Sequence, residues 1–502
     1  MLLKKYLLIC LSCPVFFSNA GAQIFTSKNY VQIEPGDSKA KIIEKAASVV
    51  PSERQLRWQE LELTAFIHFG MNTFTDREWG DGKESPTLFN PKKLDARQWV
   101  QVCKDAGFKQ IILTAKHHDG FCLWPSKFTE HSLKNSPWKN GKGDIVKETA
   151  EACRALGVGF GIYLSPWDRN SKYFGSDEYN NYFVNQLTEL LTQYGKIQEV
   201  WFDGANGEGP SGKKQVYQYN RWYELIRKLQ PEATIAVSGP DVRWVGTETG
   251  YGRDMEWSVV PGDQLSTDMI AANSQQKVEF APKDMVGKDL GSREKIMNAK
   301  SLVWYPAEVD VSIRPGWFFH ETENNKVKSA GKLMDIYYNS VGKNGVLLLN
   351  IPPDRDGLIS TYDISSLQGF KKLREQTFNS NILKKAVQPG GNNLNKVLDG
   401  KNATHFPTKA GDTVLTLNFK LNKPETFDVF VAQENLKVGQ RVELFSLEYK
   451  DGADWKIAAQ GTTIGYKRIL RFPAVTTSEI RFKVLSSRLN PAIAELGLFR
   501  EK

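Results

Sequence analysis

The stretch IQEVWFDG, residues 197–204, is the natural starting point for interpreting this chain. Its apolar run, closed by Trp201 and Phe202, predicts a short buried strand, and Asp203 places a carboxylate at the strand's end. Gly204 then begins a glycine-rich turn. Such a carboxylate suits a nucleophile or an anchor for a polar ligand, but Asp also commonly stabilises turns. The octapeptide alone leaves both roles open for Asp203.

Apolar runs alternate with amphipathic segments on both sides of this stretch. Besides the opening stretch, strands are predicted at residues 63–69, 109–115, 158–165 and 234–238. Helices are predicted at Ala96–Ala106 and at residues 144–156, 179–194 and 216–229. Short apolar strands separated by helices are typical of a parallel sheet with both faces covered.

The pattern becomes less regular after residue 240 but continues. Further strands are predicted at residues 243–248, 302–305 and 346–351, and a helix at residues 327–341 precedes the last of them. No glycine-rich dinucleotide or phosphate fingerprint follows any strand. This favours an irregular (β/α)8 barrel over an open doubly wound sheet.

The character of the chain changes near residue 386. Short alternating stretches separated by turn residues predict an all-β sandwich, at residues 413–421, 426–432, 442–449, 467–472 and 479–485. A helix is predicted at residues 367–375, where the barrel ends. The predicted division is a signal peptide at 1–22, a barrel at 23–360, a connecting helix or linker at 361–385 and a sandwich at 386–502.

The N-terminus has the pattern of an exported protein. A short basic segment precedes an apolar core at residues 6–17, and the A-x-A site at residues 20–22 predicts cleavage before Gln23. The apolar core is too short for a comfortable membrane span. The sequence therefore predicts a periplasmic or secreted protein without a transmembrane segment.

Composition narrows the classes of function. The 502 residues are 40% hydrophobic and 25% charged, as in ordinary globular proteins. The net charge of +9 is spread without a Lys/Arg block, which gives nucleic-acid binding little support. The 13 tryptophans suit sugar-stacking surfaces as well as a core. Cleavage would leave Cys103, Cys122 and Cys153, an odd set that allows at most one disulfide.

Polar and aromatic side chains recur where the predicted barrel strands end. Because the loops at the C-terminal ends of barrel strands share one face, these groups are expected to converge. They are His68, His117, His118, Tyr163, Trp167, Asp203 and Glu248. A metal site of His68, His117, His118 and Asp203 is one interpretation, but no HxH or HExxH spacing supports it. A sugar site with two catalytic carboxyl groups is the alternative.

Eight motifs resemble those of the α-L-fucosidases of glycoside hydrolase family 29, in family order. They are IHFG (67–70), REWG (77–80), AKHHDGF (115–121), YLSPWD (163–168), WFDG (201–204), WVGTETG (244–250), RPGWFFH (314–320) and LLLNIPPDRDG (347–357). The resemblance implies a barrel variant, a retaining mechanism, a fucosylated oligosaccharide or glycoprotein glycan as substrate, no cofactor and no catalytic metal.

The resemblance also implies residue roles. Asp203 matches the nucleophile, and Trp317 matches an aromatic that packs against the fucose methyl group. The positions that hold the fucose ring and hydroxyls are matched by His68, Glu78, Trp79, His117, His118 and Tyr163.

The acid/base is expected at Glu248, within WVGTETG, but its position varies among family members. Glu256, Asp254 and Glu208 are the competing candidates. The motif resembles the subgroup that prefers α-1,3/1,4-linked fucose in Lewis-type epitopes. A broad-specificity fucosidase acting on α-1,2 and aryl fucosides, a non-catalytic glycan-binding protein and a metal-dependent hydrolase are the competing hypotheses.

The predicted sandwich weakly resembles discoidin-like or carbohydrate-binding modules. The residues that carry this resemblance are VLDGKNATHF (397–406) and AELGLF (494–499). A purely structural domain packed on the barrel is an equal alternative. Calcium binding is conceivable, but Asp399 and Asn402 do not establish it.

Overall fold

The computed structural model describes residues 28–262, 289–387 and 393–502. The predicted signal peptide at residues 1–22 lies outside the described residues. Every helix in the described ranges is too short or too polar to span a lipid bilayer.

Eight parallel strands form a nearly closed barrel, which confirms the predicted fold class. They are β1 (Leu63–Ile67), β2 (Gln110–Lys116), β3 (Gly159–Leu164), β4 (Glu199–Phe202), β5 (Thr234–Val237), β6 (Arg243–Trp244), β7 (Ala307–Ser312) and β8 (Val346–Asn350). Their hydrogen-bonded order is β5-β4-β3-β2-β1-β8-β7-β6. The seam therefore lies between β5 and β6, which follow each other along the chain.

Helices cover the outside of the barrel between most of these strands. They are Lys39–Ser48, Glu53–Gln59, Met71–Thr75, Ala96–Ala106, Ile145–Leu156, Asp177–Gln193, Tyr219–Leu229, Arg293–Ile296, Ala330–Asn339 and Thr361–Phe378. The side chain of Asp95 accepts hydrogen bonds from two backbone N–H groups at the start of Ala96–Ala106. Gly107 ends that helix at a φ of 94°, a left-handed conformation that glycine adopts without strain. The helix therefore has the bounds that its cap residues predict.

The last third of the barrel differs from the prediction. Strand Ser301–Trp304, which overlaps the predicted strand at 302–305, belongs to a separate antiparallel sheet with Tyr30–Gln32 and Val259–Pro261. The seventh barrel strand is instead β7, with the sequence AEVDVS. A hydrophobicity pattern does not predict this strand, because it contains two acidic residues and carboxylates rarely lie inside a barrel. The predicted strand at 243–248 is also shorter and comprises only β6.

The barrel interior pairs aromatic rings with buried carboxyl groups. Trp201 of β4 stacks on Tyr163 of β3, with ring centroids 5.2 Å apart. Its indole Nε1 donates to Glu308 of β7 at 2.6 Å. Burial raises the pKa of Glu199 to about 8 and raises that of the neighbouring Glu308 well above its usual value. This buried pair therefore holds protons near neutral pH.

The C-terminal region is a separate antiparallel sheet domain. Its strands are Ala386–Val387, Leu415–Glu434, Val442–Asp451, Asp454–Gly461, Arg468–Ser487 and Ile493–Phe499. Each of two pairs of predicted strands forms one continuous strand: residues 413–421 and 426–432 overlap Leu415–Glu434, and residues 467–472 and 479–485 overlap Arg468–Ser487. These two long strands pair with each other, with a register shift between Lys420 and Glu425. Turn residues there produce a bulge rather than a strand end.

Polar contacts join this domain to the barrel. Lys467 donates to Glu62 at 2.5 Å, and Asn344 accepts from the backbone N–H of Tyr466 at 2.7 Å. The predicted short helix at 367–375 is part of the longer Thr361–Phe378. In the described ranges, Cys103, Cys122 and Cys153 are free and buried.

A fully buried ion pair fixes the loop of the RPGWFFH motif. Arg314 donates to Asp363 through Nη2 at 2.8 Å and through Nε at 3.1 Å, and both side chains are 0% exposed. Replacing Arg314 with methionine leaves the buried Asp363 carboxylate without its cation, and we expect the free energy of unfolding to fall by about 3–5 kcal/mol. Urea unfolding followed by tryptophan fluorescence measures this loss.

The matched control is Lys93→Met. Lys93 pairs with Asp356 at 2.7 Å, but the two side chains are 67% and 43% exposed. Solvent screens such a pair, so its loss is expected to cost less than about 1 kcal/mol. Equal effects of the two substitutions would contradict the role assigned to Arg314.

Candidate active site

Asp203 follows β4 directly and lies at the C-terminal mouth of the barrel. Its Oδ2 accepts a hydrogen bond from the Tyr163 hydroxyl at 2.9 Å, and its Oδ1 accepts from the backbone N–H of Ala205 at 2.7 Å. The side chain keeps 23% of its surface exposed. The carboxylate is thus held in one orientation while remaining accessible to a ligand.

Tyr163 is a fixed donor to this carboxylate. Its side chain is fully buried, and burial together with the Asp203 charge raises the pKa of the phenol well above its usual value. The phenol therefore stays protonated at any physiological pH. Its stacking on Trp201 links the site to the barrel interior.

His68 lies at the end of β1 and is neutral. Burial lowers the pKa of its imidazole to about 3. Its Nδ1 lies 2.9 Å from Oδ1 of Asn350, an acceptor, so Nδ1 carries the proton. Asn350 is fixed in turn by donating to Ser312 Oγ at 2.9 Å and to the carbonyl of Trp317 at 2.7 Å. The Nε2 atom of His68 is left as a hydrogen-bond acceptor.

His117 and His118 present opposite hydrogen-bonding characters. Asn72 donates to Nδ1 of His117 at 3.2 Å, which leaves the proton on Nε2. Nδ1 of His118 lies 2.7 Å from Ser165 Oγ, whose own proton goes to the carbonyl of Trp167, so His118 donates through Nδ1. Burial, the first cause in each case, lowers the pKa of both imidazoles. Neutral rings that alternate as donor and acceptor suit the hydroxyl groups of a sugar.

The buried Lys116 indicates the direction of His117, the residue that follows it. Its Nζ donates to Asp168 and to Gln186, both at 3.0 Å, and so faces helix Asp177–Gln193. Because side chains alternate along a strand, His117 is directed to the opposite, inner side. His118 lies beyond the end of β2, and its Nε2 is 3.8 Å from Oδ2 of Asp203.

Glu78 organises the loop that carries Trp317. Its Oε2 accepts from the backbone N–H of Trp317 at 2.8 Å, and its Oε1 accepts from His320 Nε2 at 2.7 Å. The other ring nitrogen of His320 lies 2.8 Å from Asp76. Trp317 in turn packs on His68, with ring centroids 5.1 Å apart. Glu78 therefore acts on the site chiefly by holding Trp317 in position.

Trp79 closes the site on the side of His118. Its ring meets the rings of His118 and Trp167 edge-on, each at a centroid distance of 5.5 Å, and 45% of its surface is exposed. An exposed indole beside a polar pocket offers a flat apolar wall for a sugar ring. The structure thus brings all the predicted sugar-binding side chains into one cluster around Asp203.

Glu248 lies beyond the end of β6 and is exposed, although its neighbours in the loop are buried or half-buried. Its carboxylate is close enough to Asp310 of β7 to contribute to the raised pKa of Asp310, after burial. Glu256 has different surroundings, because it is buried and paired with Arg243 and Arg253.

Asp254 and Glu208 are both exposed. Asp254 is paired with Lys343 at 2.7 Å. Glu208 lies in the loop after β4, and its backbone carbonyl accepts from Trp167 Nε1 at 3.1 Å. Glu248 is distinguished from these two by its buried carboxyl neighbour, Asp310.

The sequence interpretation missed the residues that orient the site. Asn72, Asn350, Ser165, His320 and Asp310 act through hydrogen bonds or charge to residues that were predicted. Asn350 and His320 lie within the LLLNIPPDRDG and RPGWFFH motifs, so only their partners were unknown. In the described ranges, no group of three or more His, Cys, Asp or Glu side chains is arranged to hold a metal ion.

Comparison with known proteins agrees with this geometry. The family model described as alpha-L-fucosidase matches residues 47–373. The chain is 43% identical over 472 residues to alpha-L-fucosidase 1 of Arabidopsis thaliana, covering 90% of this chain and 88% of that protein.

Solved structures show the same similarity. A Bacteroides ovatus protein is 47% identical, with a TM-score of 0.84 over 94% of this chain and 78% of its own. A Ruminococcus gnavus fucosidase in complex with fucose is 31% identical, with a TM-score of 0.78 over 90% of this chain and 95% of its own. The family model alone covers well over half of the chain. The chain therefore belongs to the α-L-fucosidases of glycoside hydrolase family 29.

Proposed function

We propose that this α-L-fucosidase is an exported, retaining exo-enzyme that removes terminal α-1,3/1,4-linked fucose from Lewis-type glycans. The observation that carries the catalytic part is the Asp203 carboxylate, held by Tyr163 and a backbone N–H beside neutral imidazoles. The exported location is proposed from the signal-peptide pattern at residues 1–22.

Asp203 is proposed as the nucleophile because it is ordered, accessible and placed at a sugar-binding mouth. It attacks the anomeric carbon of fucose while the bond to the leaving oxygen breaks, and a covalent fucosyl-enzyme forms. Tyr163 holds the carboxylate for attack by donating to it, and it donates to the carboxylate again when water releases the sugar. Each imidazole orients a hydroxyl without competing as a charged group.

Glu248 is proposed as the acid/base. It gives its proton to the leaving oxygen in the first step and takes a proton from water in the second. Its side chain is exposed, which leaves space for the remainder of the glycan. Glu256 is a poor competitor, because its side chain is buried and held in ion pairs by Arg243 and Arg253. For a retaining enzyme, the carboxyl groups of Asp203 and Glu248 are expected about 5–5.5 Å apart when substrate is bound.

The linkage preference is proposed from the resemblance of WVGTETG, residues 244–250, to the α-1,3/1,4-preferring subgroup. The proposal predicts fast release of free fucose from a Lewis-type trisaccharide and slow release from a 2′-fucosylated one. Chromatographic measurement of kcat/KM for both, beside an aryl fucoside, tests it. An Asp203→Asn sample controls for contaminating fucosidase. Equal rates on both glycans, or a preference for the aryl fucoside, would favour the broad-specificity alternative.

A further inference from the structure

A carboxylate lies against each ring nitrogen of His320. Nδ1 lies 2.8 Å from Oδ1 of Asp76, and Nε2 lies 2.7 Å from Oε1 of Glu78. An ionised carboxylate only accepts hydrogen bonds, so both ring nitrogens donate, and a ring that donates from both is a positively charged imidazolium. His320 is therefore a cation that joins two acidic side chains of the segment after helix Met71–Thr75.

The charged groups around the ring favour this cation. The side chains of Asp76 and Glu78 are 59% and 39% exposed, whereas that of His320 is only 15% exposed. Arg314 donates to the backbone carbonyl of His320 at 3.4 Å, but its charge is paired with Asp363. Burial by itself lowers the pKa of His320, and the hydrogen bonds and charges of Asp76 and Glu78 outweigh burial and raise this pKa above its usual value.

The Glu78 carboxylate that meets His320 also holds the backbone of the Trp317 loop. Its Oε2 accepts from the Trp317 N–H at 2.8 Å, and its Oε1 accepts from the Phe318 N–H at 3.2 Å. The preceding residue, Gly316, lies against this contact. A Cβ there would be 2.5 Å from Oε1 of Glu78 and 3.1 Å from Cδ2 of His320. The loop therefore approaches the ion pair as closely as a residue without a side chain permits.

The loop in turn fixes the wall of the sugar site. Trp317 packs on His68 with ring centroids 5.1 Å apart, and its carbonyl accepts from Asn350 at 2.7 Å. Glu323, on the following turn, also faces this loop and accepts from the Gly316 N–H at 3.2 Å. A change in the position of Glu78 is therefore transmitted to the indole ring.

We propose that His320 is a positioning residue whose positive charge holds Glu78, and through it Trp317, in the arrangement that binds fucose. The inference rests on the proposed placement of fucose against Trp317, in the cluster around Asp203. A ring that loses one proton can donate from only one nitrogen, so one of the two carboxylates loses its partner. The attraction of the ring's charge for both carboxylates is lost as well.

The sign of the pH dependence follows from this arrangement. The protonated ring is the form that supports binding, so fucose affinity is highest at low pH. It falls as the pH rises through the pKa of His320, which lies above the usual value of about 6.5. Burial lowers the pKa of the other five histidines, which are His68, His117, His118, His131 and His405. Burial also raises the pKa of Asp119 to about 7, so variants are needed to assign the transition.

His320→Gln tests the proposal with free fucose, which the enzyme does not hydrolyse. Glutamine can donate a hydrogen bond but carries no charge. Calorimetric titration with fucose from about pH 5.5 to about pH 8.5 is expected to show weaker binding at the acidic end, by roughly 2- to 30-fold, and no transition above it. With an aryl fucoside, KM is expected to rise while kcat changes less, because uniform binding is lost.

Asp76→Asn separates the charge of His320 from its contact with Glu78. Asp76 faces the ring nitrogen that is turned away from Glu78. Removing its charge lowers the pKa of His320, so the transition is expected to move to lower pH while the affinity below it is kept. His405→Gln is the matched control, because His405 lies in the sandwich and contacts Asn435. Its transition is expected to stay in place.

The outcomes separate this inference from the proposed site. Unchanged affinity and an unchanged transition in His320→Gln mean a merely structural role and overturn the inference, as does a wild-type affinity that does not vary with pH. If His320→Gln does not fold, an unmoved transition in Asp76→Asn overturns it equally. If Trp317→Ala binds fucose as tightly as the wild type, the placement of the sugar against Trp317 itself fails.

Discussion

Replacing Asp203 with asparagine is expected to reduce kcat by roughly 10⁴- to 10⁶-fold, as removal of other catalytic nucleophiles does. The substitution keeps the shape of the side chain and its contacts with Tyr163 and Ala205, but the amide cannot form a stable ester with the anomeric carbon. Fucose binding is expected to remain, because the histidines and tryptophans around it are unchanged. Stopped and steady-state assays with an aryl fucoside measure kcat, and calorimetric titration with fucose measures binding.

Tyr163→Phe is the matched control for this experiment. It leaves the carboxylate in place and removes one hydrogen bond to a charged group, which is expected to cost about 1.5–3 kcal/mol, or roughly tenfold to 100-fold in rate. A smaller variant, Asp203→Gly, makes room for azide to attack in place of the carboxylate. Its product should be the β-fucosyl azide, with inverted configuration. Near-normal activity in Asp203→Asn would remove Asp203 from the mechanism.

Replacing Glu248 with glutamine is expected to have an effect that depends on the leaving group. A disaccharide needs its oxygen protonated, so its kcat/KM should fall by roughly 10²- to 10⁴-fold. An aryl fucoside with an acidic phenol should form the fucosyl-enzyme almost normally and then react slowly with water. A low kcat with a low KM is therefore expected for the aryl substrate.

Azide distinguishes Glu248 from Asp203 by the product it gives. With Glu248→Gly, azide attacks the fucosyl-enzyme and yields the α-fucosyl azide, in which configuration is retained after two inversions. Glu256→Gln serves as the control, since its buried ion pairs predict lost stability and no azide-dependent turnover. Azide-dependent turnover in Glu256→Gln alone would transfer the acid/base role to that residue.

The first part of the barrel could be predicted from the sequence because its signals are local. β1 to β5 are short apolar runs, and two of the helices between them, Ala96–Ala106 and Ile145–Leu156, have Asp and Gly cap residues that fix their ends. The strand-end rule then placed His68, His117, Tyr163 and Asp203 at one mouth before any contact was known. Each of these predictions needs only the residues within one turn or one strand.

The later barrel and the sandwich could not be predicted as well, because their structure depends on contacts with residues far away along the chain. A strand with the sequence AEVDVS looks too polar for a barrel interior unless its carboxyl groups find partners. Those partners, Trp201 and Trp244, lie 107 and 66 positions away along the chain. In the sandwich, turn residues at 422–424 interrupt the pattern, yet pairing with Arg468–Ser487 keeps one strand continuous.

The sequence by itself determined which residues of the first strands lie at the barrel mouth, because strand ends and side-chain alternation follow from the local hydrophobic pattern. Only the tertiary structure decided their chemical states. The tautomers of His68 and His117 depend on Asn350 and Asn72, and the raised pKa of Asp310 depends on burial and on Glu248. Protonation is set by desolvation and by neighbouring charges, and both arise only when distant strands meet.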